Sequence, residues 1–251
     1  DIHESTLGPC PKSVRKKLTP KTRAVIVNHA FGFPAEIEKI RAFGIPVIED
    51  CAQALGSLSG QQPLGCFGDL TILSFYATKM LTTGYGGMVL TNEKKYHDTL
   101  VDLTDFDQRR DYKVRYNYSL SDMNAALGIS QLAKLADFVR KRTEIANRYA
   151  EILKNKDFFF WTGGLEDQPN FYRFLIGTFH PYTKHLPYFR RKGIEVISPL
   201  APFQLLHRYL GIEKSGFPVA EAISRSVLSL PIYPSLPPKS ILSICKAIQE
   251  A

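Results

Sequence analysis

The stretch IPVIEDCAQALGSLSGQQPLGCFGDLTILSFYATKMLTTGYGGMVLTN, residues 45–92, decides the fold. It holds three short apolar runs, Ile45 to Ile48, Leu70 to Phe75 and Gly87 to Leu90, each bounded by turn residues, and each run predicts a buried strand. The first delivers Asp50, with Gln53 three residues on. The second delivers Ser74 and then Lys79 in SFYATK, followed by the glycine-bounded turn TTGYGG. A carboxylate, an amide, a hydroxyl and an amine just past the ends of neighbouring strands is where an open α/β sheet places its ligand.

Upstream, AVIV leads to His29 and Pro34, and a helix over Ala35 to Phe43 closes at Gly44, giving a strand, helix, strand unit of the parallel-sheet kind. The opening DIHESTLGPCPKSVRKKLTPKT is polar and proline-punctuated, with room for one short helix around Lys12 to Leu18, and reads as the interior of a longer pattern. Downstream of Asn92 a helix carries Tyr96, Leu100 and Leu103. Ser121 then caps a second helix with Met123, Ala126, Leu127, Ile129 and Leu132, and helical periodicity continues to Leu153. After Asp157 the pattern changes to FFFW, a strand over 171–176, a Pro181-led helix, a strand IEVI, and helices near Val219 to Arg225 and Pro238 to Ile248. The expected division is a cofactor-binding portion over 1–155 and a smaller α+β portion over 156–251.

Composition narrows the classes. Hydrophobic content of 44% and charged content of 22% are those of a globular protein, and no apolar run is long enough to span a membrane. The opening does not read as a secretory leader. Four cysteines without ligand spacing argue against a zinc site or disulfide framework, so a reducing, cytoplasmic location is the expectation. The net charge of +8 is spread in small groups (Arg15 to Lys17, Arg109 with Arg110, Arg190 to Lys192), which favours an anionic small molecule over nucleic acid.

Lys79 is by default a solvated charge, but it comes directly off an apolar strand and faces Gly84, Gly86 and Gly87, which leave room for a ligand. A lysine amine so placed can form a Schiff base. Asp50 has two readings: a cap for the following turn, or a carboxylate holding a proton on a heterocyclic nitrogen, as a pyridine cofactor serving as an electron sink requires. Ser74 and Thr78 can donate to a phosphate or bond to local backbone.

VIEDCAQALGS, GDLTILSFYATKMLTTGYGGMVLTN and YNYSLSDMNAALGISQL together resemble the DegT/DnrJ/EryC1/StrS family of pyridoxal-phosphate-dependent sugar aminotransferases, fold type I. TPKTRAVIVNHAFGFPAEIEKI, YRFLI, RRKGIEVISPLAP and FPVAEAISRSVLSLPIYPSLP extend the likeness over almost the whole chain. The resemblance implies a type I large domain, partial here, with a mostly parallel sheet and a smaller C-terminal domain. It implies that Lys79 holds pyridoxal phosphate covalently, that Asp50 pairs with the pyridine nitrogen, that Gln53 lies beside the phenolic oxygen, and that Ser74 binds phosphate. Asn117 would reach the phosphate of a partner subunit, making a homodimer. The implied substrates are glutamate and a nucleotide-linked keto sugar, with no metal.

Against the family pattern, the sequence is expected to lack roughly the first hundred residues, including a phosphate-binding turn and an aromatic cover for the ring. Ser119 stands where the family has arginine, and SPLAP replaces a His-Tyr pair. A non-catalytic, shortened relative with a structural or interaction role, or a fragment of a longer gene product, is the competing expectation. Retention of Asp50, Gln53, Ser74 and Lys79 together speaks for catalysis, since an inert scaffold has no physical need of that set.

Overall fold

The computed structural model describes residues 1–153 and 158–251. Helix α1 (Pro11–Lys17) starts on a proline, whose missing N–H costs nothing in a first turn, and ends on Arg15, Lys16 and Lys17, which complement the helix dipole. Strand β1 (Val25–Asn28) and the short helix α2 (Ile37–Arg41) lead to β2 (Val47–Asp50). A two-residue hairpin follows, β3 (Leu58–Ser59) and β4 (Gln62–Pro63). Then come β5 (Leu70–Ser74) and β6 (Gly87–Leu90). The main sheet has the order β1-β2-β5-β6, with β1, β2 and β5 parallel and β6 antiparallel.

The pleat divides this sheet into two unlike faces. Glu49 pairs with Val27 on one side and Thr71 on the other, and Val27, Val47, Thr71 and Leu73 are buried under Ile37 and Ile40 of α2 and under Phe67. Alternate residues share the opposite face, so Ile26, Ile48, Asp50, Ile72 and Ser74 lie together there. That face is open: Ile26 is 61% exposed and Ile72 38%.

Helices α3 (Lys94–Thr104), α4 (Asp122–Leu132) and α5 (Leu135–Leu153) follow. Ser121 caps α4 as expected, its hydroxyl accepting from the Asn124 N–H at 3.3 Å. The C-terminal part holds β7 (Phe158–Phe160), β8 (Phe174–Thr178), α6 (Leu186–Arg191), α7 (Leu206–Tyr209), α8 (Pro218–Ser226), β9 (Val227–Leu230) and α9 (Pro238–Glu250). β7, β8 and β9 form an antiparallel sheet in that order. Its core joins Phe174, Ile176 and Leu228 to Ile145, Tyr149 and Leu153 of α5 and Ile241, Ile244 and Ile248 of α9. The architecture is therefore α/β, with a mixed, mostly parallel sheet and a smaller antiparallel one. The expected division at residue 155 lies outside the described residues.

Several expectations move. The strand expected over 171–176 begins at Phe174, because Phe171 takes a positive φ of 50° and turns the chain before it. IEVI forms only a single bridge, Ile197 to Ser229. The first residues are built into the C-terminal side. The Asp1 carboxylate caps α8 by accepting from the Val219 and Ala220 N–H groups at 2.9 and 3.1 Å, and the Trp161 indole donates to the Glu4 carbonyl at 2.8 Å. No helix among the described residues is long and apolar enough to cross a membrane.

Candidate active site

Asp50 is the last residue of β2 and half-buried on the open face. One carboxylate oxygen accepts from the Asn28 amide at 2.7 Å, across the parallel pair that sets Asn28 beside Asp50, and the other accepts from the Ala52 N–H at 3.0 Å. No helix follows for Asp50 to cap; residues 52–56 form turns. Two fixed donors hold the carboxylate in one orientation.

Immediately beneath, Glu49 anchors the same strand. It is fully buried, accepts from the N–H groups of Gly65, Phe67 and Gly68 at 2.6, 2.9 and 2.9 Å, and lies 3.0 Å from His29 Nε2. His29 Nδ1 accepts from the Ala35 N–H at 2.9 Å, so Nε2 carries the ring proton and donates to Glu49. Burial opposes the charge on Glu49, but the bonds from His29, Gly65 and Gly68 outweigh it and hold the carboxyl down at about 2. His29, Glu49 and Cys51 are close enough to suggest a metal group. Their acceptor positions are filled from within the chain, which makes the cluster an anchor for strand ends.

Gln53 turns its amide oxygen onto the Phe31 N–H at 2.7 Å, leaving its NH2 as the end available to a ligand. The Gln53 carbonyl accepts from Asn170 Nδ2 at 3.0 Å. Asn170, fully buried, also donates to the Leu55 carbonyl at 3.0 Å, accepts from the Tyr172 N–H at 2.8 Å, and gives its own N–H to Ser57 Oγ at 3.0 Å. The Ser57 hydroxyl in turn donates to the Gly32 carbonyl at 2.8 Å. A C-terminal segment is thereby fastened to the loop carrying Gln53.

Ser74 ends β5 on the Asp50 face, its hydroxyl 3.5 Å from the Tyr76 N–H. The following loop is closed by the Phe75 N–H donating to the Gly86 carbonyl and the Thr83 N–H donating to the Phe75 carbonyl, both at 2.9 Å. Gly86 has φ of 149°, and a Cβ there would meet Leu120 at 2.7 Å, so glycine is required for closure. Lys79 sits within this loop, half-buried, its Nζ 5.5 Å from the centroid of the Tyr172 ring. It pairs with no carboxylate among the described residues. The Tyr172 hydroxyl is 3.5 Å from Thr78 Oγ1.

Asp50 and Ser74 thus end neighbouring strands, with Gln53 and Lys79 in the segments that follow them, and Asn117 lies in the loop ahead of α4. It is exposed, between Tyr116 and Tyr118, whose rings stack at 5.2 Å. Sequence reasoning did not single out Asn28, Glu49, Asn170, Arg142 or Tyr172. For Glu49 the signal is present, since an acid in register with the apolar core face of VIED must be satisfied internally.

Among proteins of known sequence and structure, a profile of the DegT/DnrJ/EryC1/StrS aminotransferase family matches residues 1–249. The likeness expected to start after the opening segment is corrected to this extent: the family match runs over nearly the whole chain, the opening segment from residue 1 included. GDP-perosamine synthase of Escherichia coli O157:H7 is 30% identical over 94% of this chain and 68% of its own length. The aminotransferase TlmJ from Streptoalloteichus hindustanus superimposes with a TM-score of 0.90 at 26% identity, covering 100% of this chain and 71% of that one. DesV of S. venezuelae, solved in complex with a ketimine intermediate, gives 0.90 at 27%, covering 99% and 70%.

Proposed function

The chain belongs to the DegT/DnrJ/EryC1/StrS aminotransferase family, and from that premise we propose that it is a pyridoxal-phosphate-dependent aminotransferase passing an amino group from glutamate to the keto group of a nucleotide-linked sugar. The observation that carries this reading is the clamped Asp50 carboxylate on the open sheet face, with Ser74 on the same face of the neighbouring strand and Lys79 in the glycine-closed loop that follows. The donor set fits the cofactor: a carboxylate for the ring nitrogen, an amide NH2 at Gln53, a hydroxyl at Ser74 and an amine without an acidic partner among the described residues. A relative named for a GDP-linked amino sugar supports the acceptor class.

When bound, the cofactor supplies an electron sink for the pair of electrons left on carbon as a proton is removed. Asp50 would hold the proton on the ring nitrogen, and the Asn28 and Ala52 donors keep its carboxylate aimed. Lys79 is the attachment point; once displaced, its free amine takes the proton from the donor carbon and later returns one to the acceptor carbon. Ser74 and, from a second subunit, Asn117 bind the phosphate, so the working unit is a homodimer in the cytoplasm.

The experiment is a titration of the purified protein with pyridoxal phosphate, followed by borohydride reduction and peptide mapping. Absorbance near the violet edge and a reduced adduct on Lys79 are expected. Lys79→Ala removes the adduct without unfolding the protein. An adduct of undiminished yield in that variant, or none in the unmodified protein, overturns the reading.

A further inference from the structure

The Tyr172 region gathers positive charge without matching acid. Lys79 Nζ and the Arg173 guanidinium carbon each lie 5.5 Å from the centroid of the Tyr172 ring, so the two cationic centres are at most twice that distance apart. A third cation underlies them. Arg142, 94% buried, donates through Nη1 to the carbonyls of Phe171, Tyr172 and Ile232 at 3.0, 3.3 and 3.0 Å, while its Nε has no partner. Burial, with Arg173 as a neighbouring like charge, pushes Arg142 down to about 10. Among the described residues no carboxylate pairs with any of the three.

These cations have different tasks. Arg142 spends its donors on carbonyls and holds the Phe171–Tyr172 turn to the strand end at Ile232. Lys79 belongs to the proposed cofactor site. Arg173 is left over: it is half-buried and makes one long hydrogen bond, to Ser229 Oγ at 3.5 Å. It lines a cavity of about 170 Å3 with Tyr172, Glu195, Ser229 and Pro231, and Glu195 is exposed and outside ion-pairing distance. A guanidinium with only one long hydrogen bond to the protein, beside a cavity and against the same aromatic ring as a reactive amine, suits a ligand oxyanion.

We infer that Arg173 binds an oxyanion of the substrate that reacts at Lys79, either a carboxylate of the amino donor or a phosphate of the nucleotide-linked acceptor. This rests on the aminotransferase reading above, and it assigns to Arg173 the task of orienting the substrate rather than any proton transfer. The anion bridges to Arg173 while the reacting carbon stands at Lys79.

The test uses binding as well as turnover. Unmodified protein, Arg173→Gln and Arg173→Lys are titrated calorimetrically with glutarate and, separately, with a nucleoside diphosphate. Each is also loaded with pyridoxal phosphate to record the lysine-bound absorbance and KM for glutamate and for a nucleotide-linked keto sugar. Loss of a charge-assisted contact predicts that Arg173→Gln weakens one of the two ligands about tenfold or more and raises the matching KM, with Arg173→Lys in between. A weakened glutarate arm identifies the donor carboxylate, and a weakened diphosphate arm the acceptor. Cofactor absorbance and melting temperature stay unchanged in both variants. Equal binding of both anions to Arg173→Gln and unmodified protein, or no binding of either to unmodified protein, overturns the inference. Absence of the lysine-bound absorbance in every protein tells against the aminotransferase reading instead, while the anion titrations still judge Arg173.

Discussion

The Asn28 amide donates to the Asp50 carboxylate at 2.7 Å from the neighbouring parallel strand. The pair is a product of register: Asn28 and Asp50 are strand-end partners, so their side chains leave the sheet on the same face and meet there. The other Asp50 oxygen is taken by the Ala52 N–H, which makes Asn28 the side chain that fixes the carboxylate's rotation. Asn28→Val fits the strand but removes the donor. Pyridoxal phosphate affinity, followed by absorbance titration, is expected to fall about tenfold, in line with a hydrogen bond to a charged acceptor, with stability changed by no more than about 1 kcal/mol. Unaltered affinity would show that the Ala52 contact suffices.

Glu49 sets an acid limit on the fold. Its folded carboxyl is held at about 2 against an ordinary 4.5. A depressed acid contributes its stability above the ordinary value and loses it as pH falls toward the folded one. The contribution, on the order of 3 kcal/mol, is therefore intact above about pH 5 and lost between about pH 4.5 and 2. Urea unfolding of unmodified protein and Glu49→Gln over that range checks the point. Glu49→Gln is less stable at neutral pH and loses less on acidification; parallel curves would mean that other carboxylates set the limit.

The strands behind the candidate site were legible because VIED, TILS and GMVL are short runs bounded by turn residues, and the parallel neighbours β2 and β5 carry their end residues, Asp50 and Ser74, to one edge. What was not legible has physical causes. VLSL was not singled out as a strand because α8 runs into β9 at Ser226 and Val227 with no glycine or proline between them. IEVI has strand composition but finds only one bridging partner, Ser229. Asn170 and Arg142 escaped because their partners are backbone carbonyls far along the chain, and no spacing rule encodes such contacts.

Asn170 joins the C-terminal segment to the Gln53 loop through three hydrogen bonds in a fully buried position, and a fourth, from the Tyr172 N–H, braces its own turn. Asn170→Ala strands the Gln53 and Leu55 carbonyls and is expected to cost about 3 kcal/mol, read by chemical denaturation. It also loosens the turn that brings Tyr172 to Lys79, so hydrogen exchange over residues 51–58 and 170–173 rises together. Faster exchange in only one of the two segments would show that they are not coupled through this side chain.

The last prediction concerns assembly. α4 buries none of its residues in this chain, although it presents Met123 at 83% exposure, Ile129 at 72% and Leu132 at 56%. Strand β6 is also uncovered, with Met88, Val89 and Leu90 each more than 40% exposed. Apolar surface of this extent, next to a loop that exposes Asn117, is what an isologous contact between two copies would cover. Sedimentation at micromolar concentration is expected to give a dimer. Met123→Lys with Ile129→Lys places two charges in the contact without touching either core, and is expected to yield a folded monomer with weakened pyridoxal phosphate binding, because the second subunit's Asn117 is withdrawn. Asn117→Ala should weaken the cofactor to a similar degree while leaving the dimer intact. A monomeric unmodified protein, or a lysine double variant that stays dimeric with full cofactor affinity, would rule out this face as the interface.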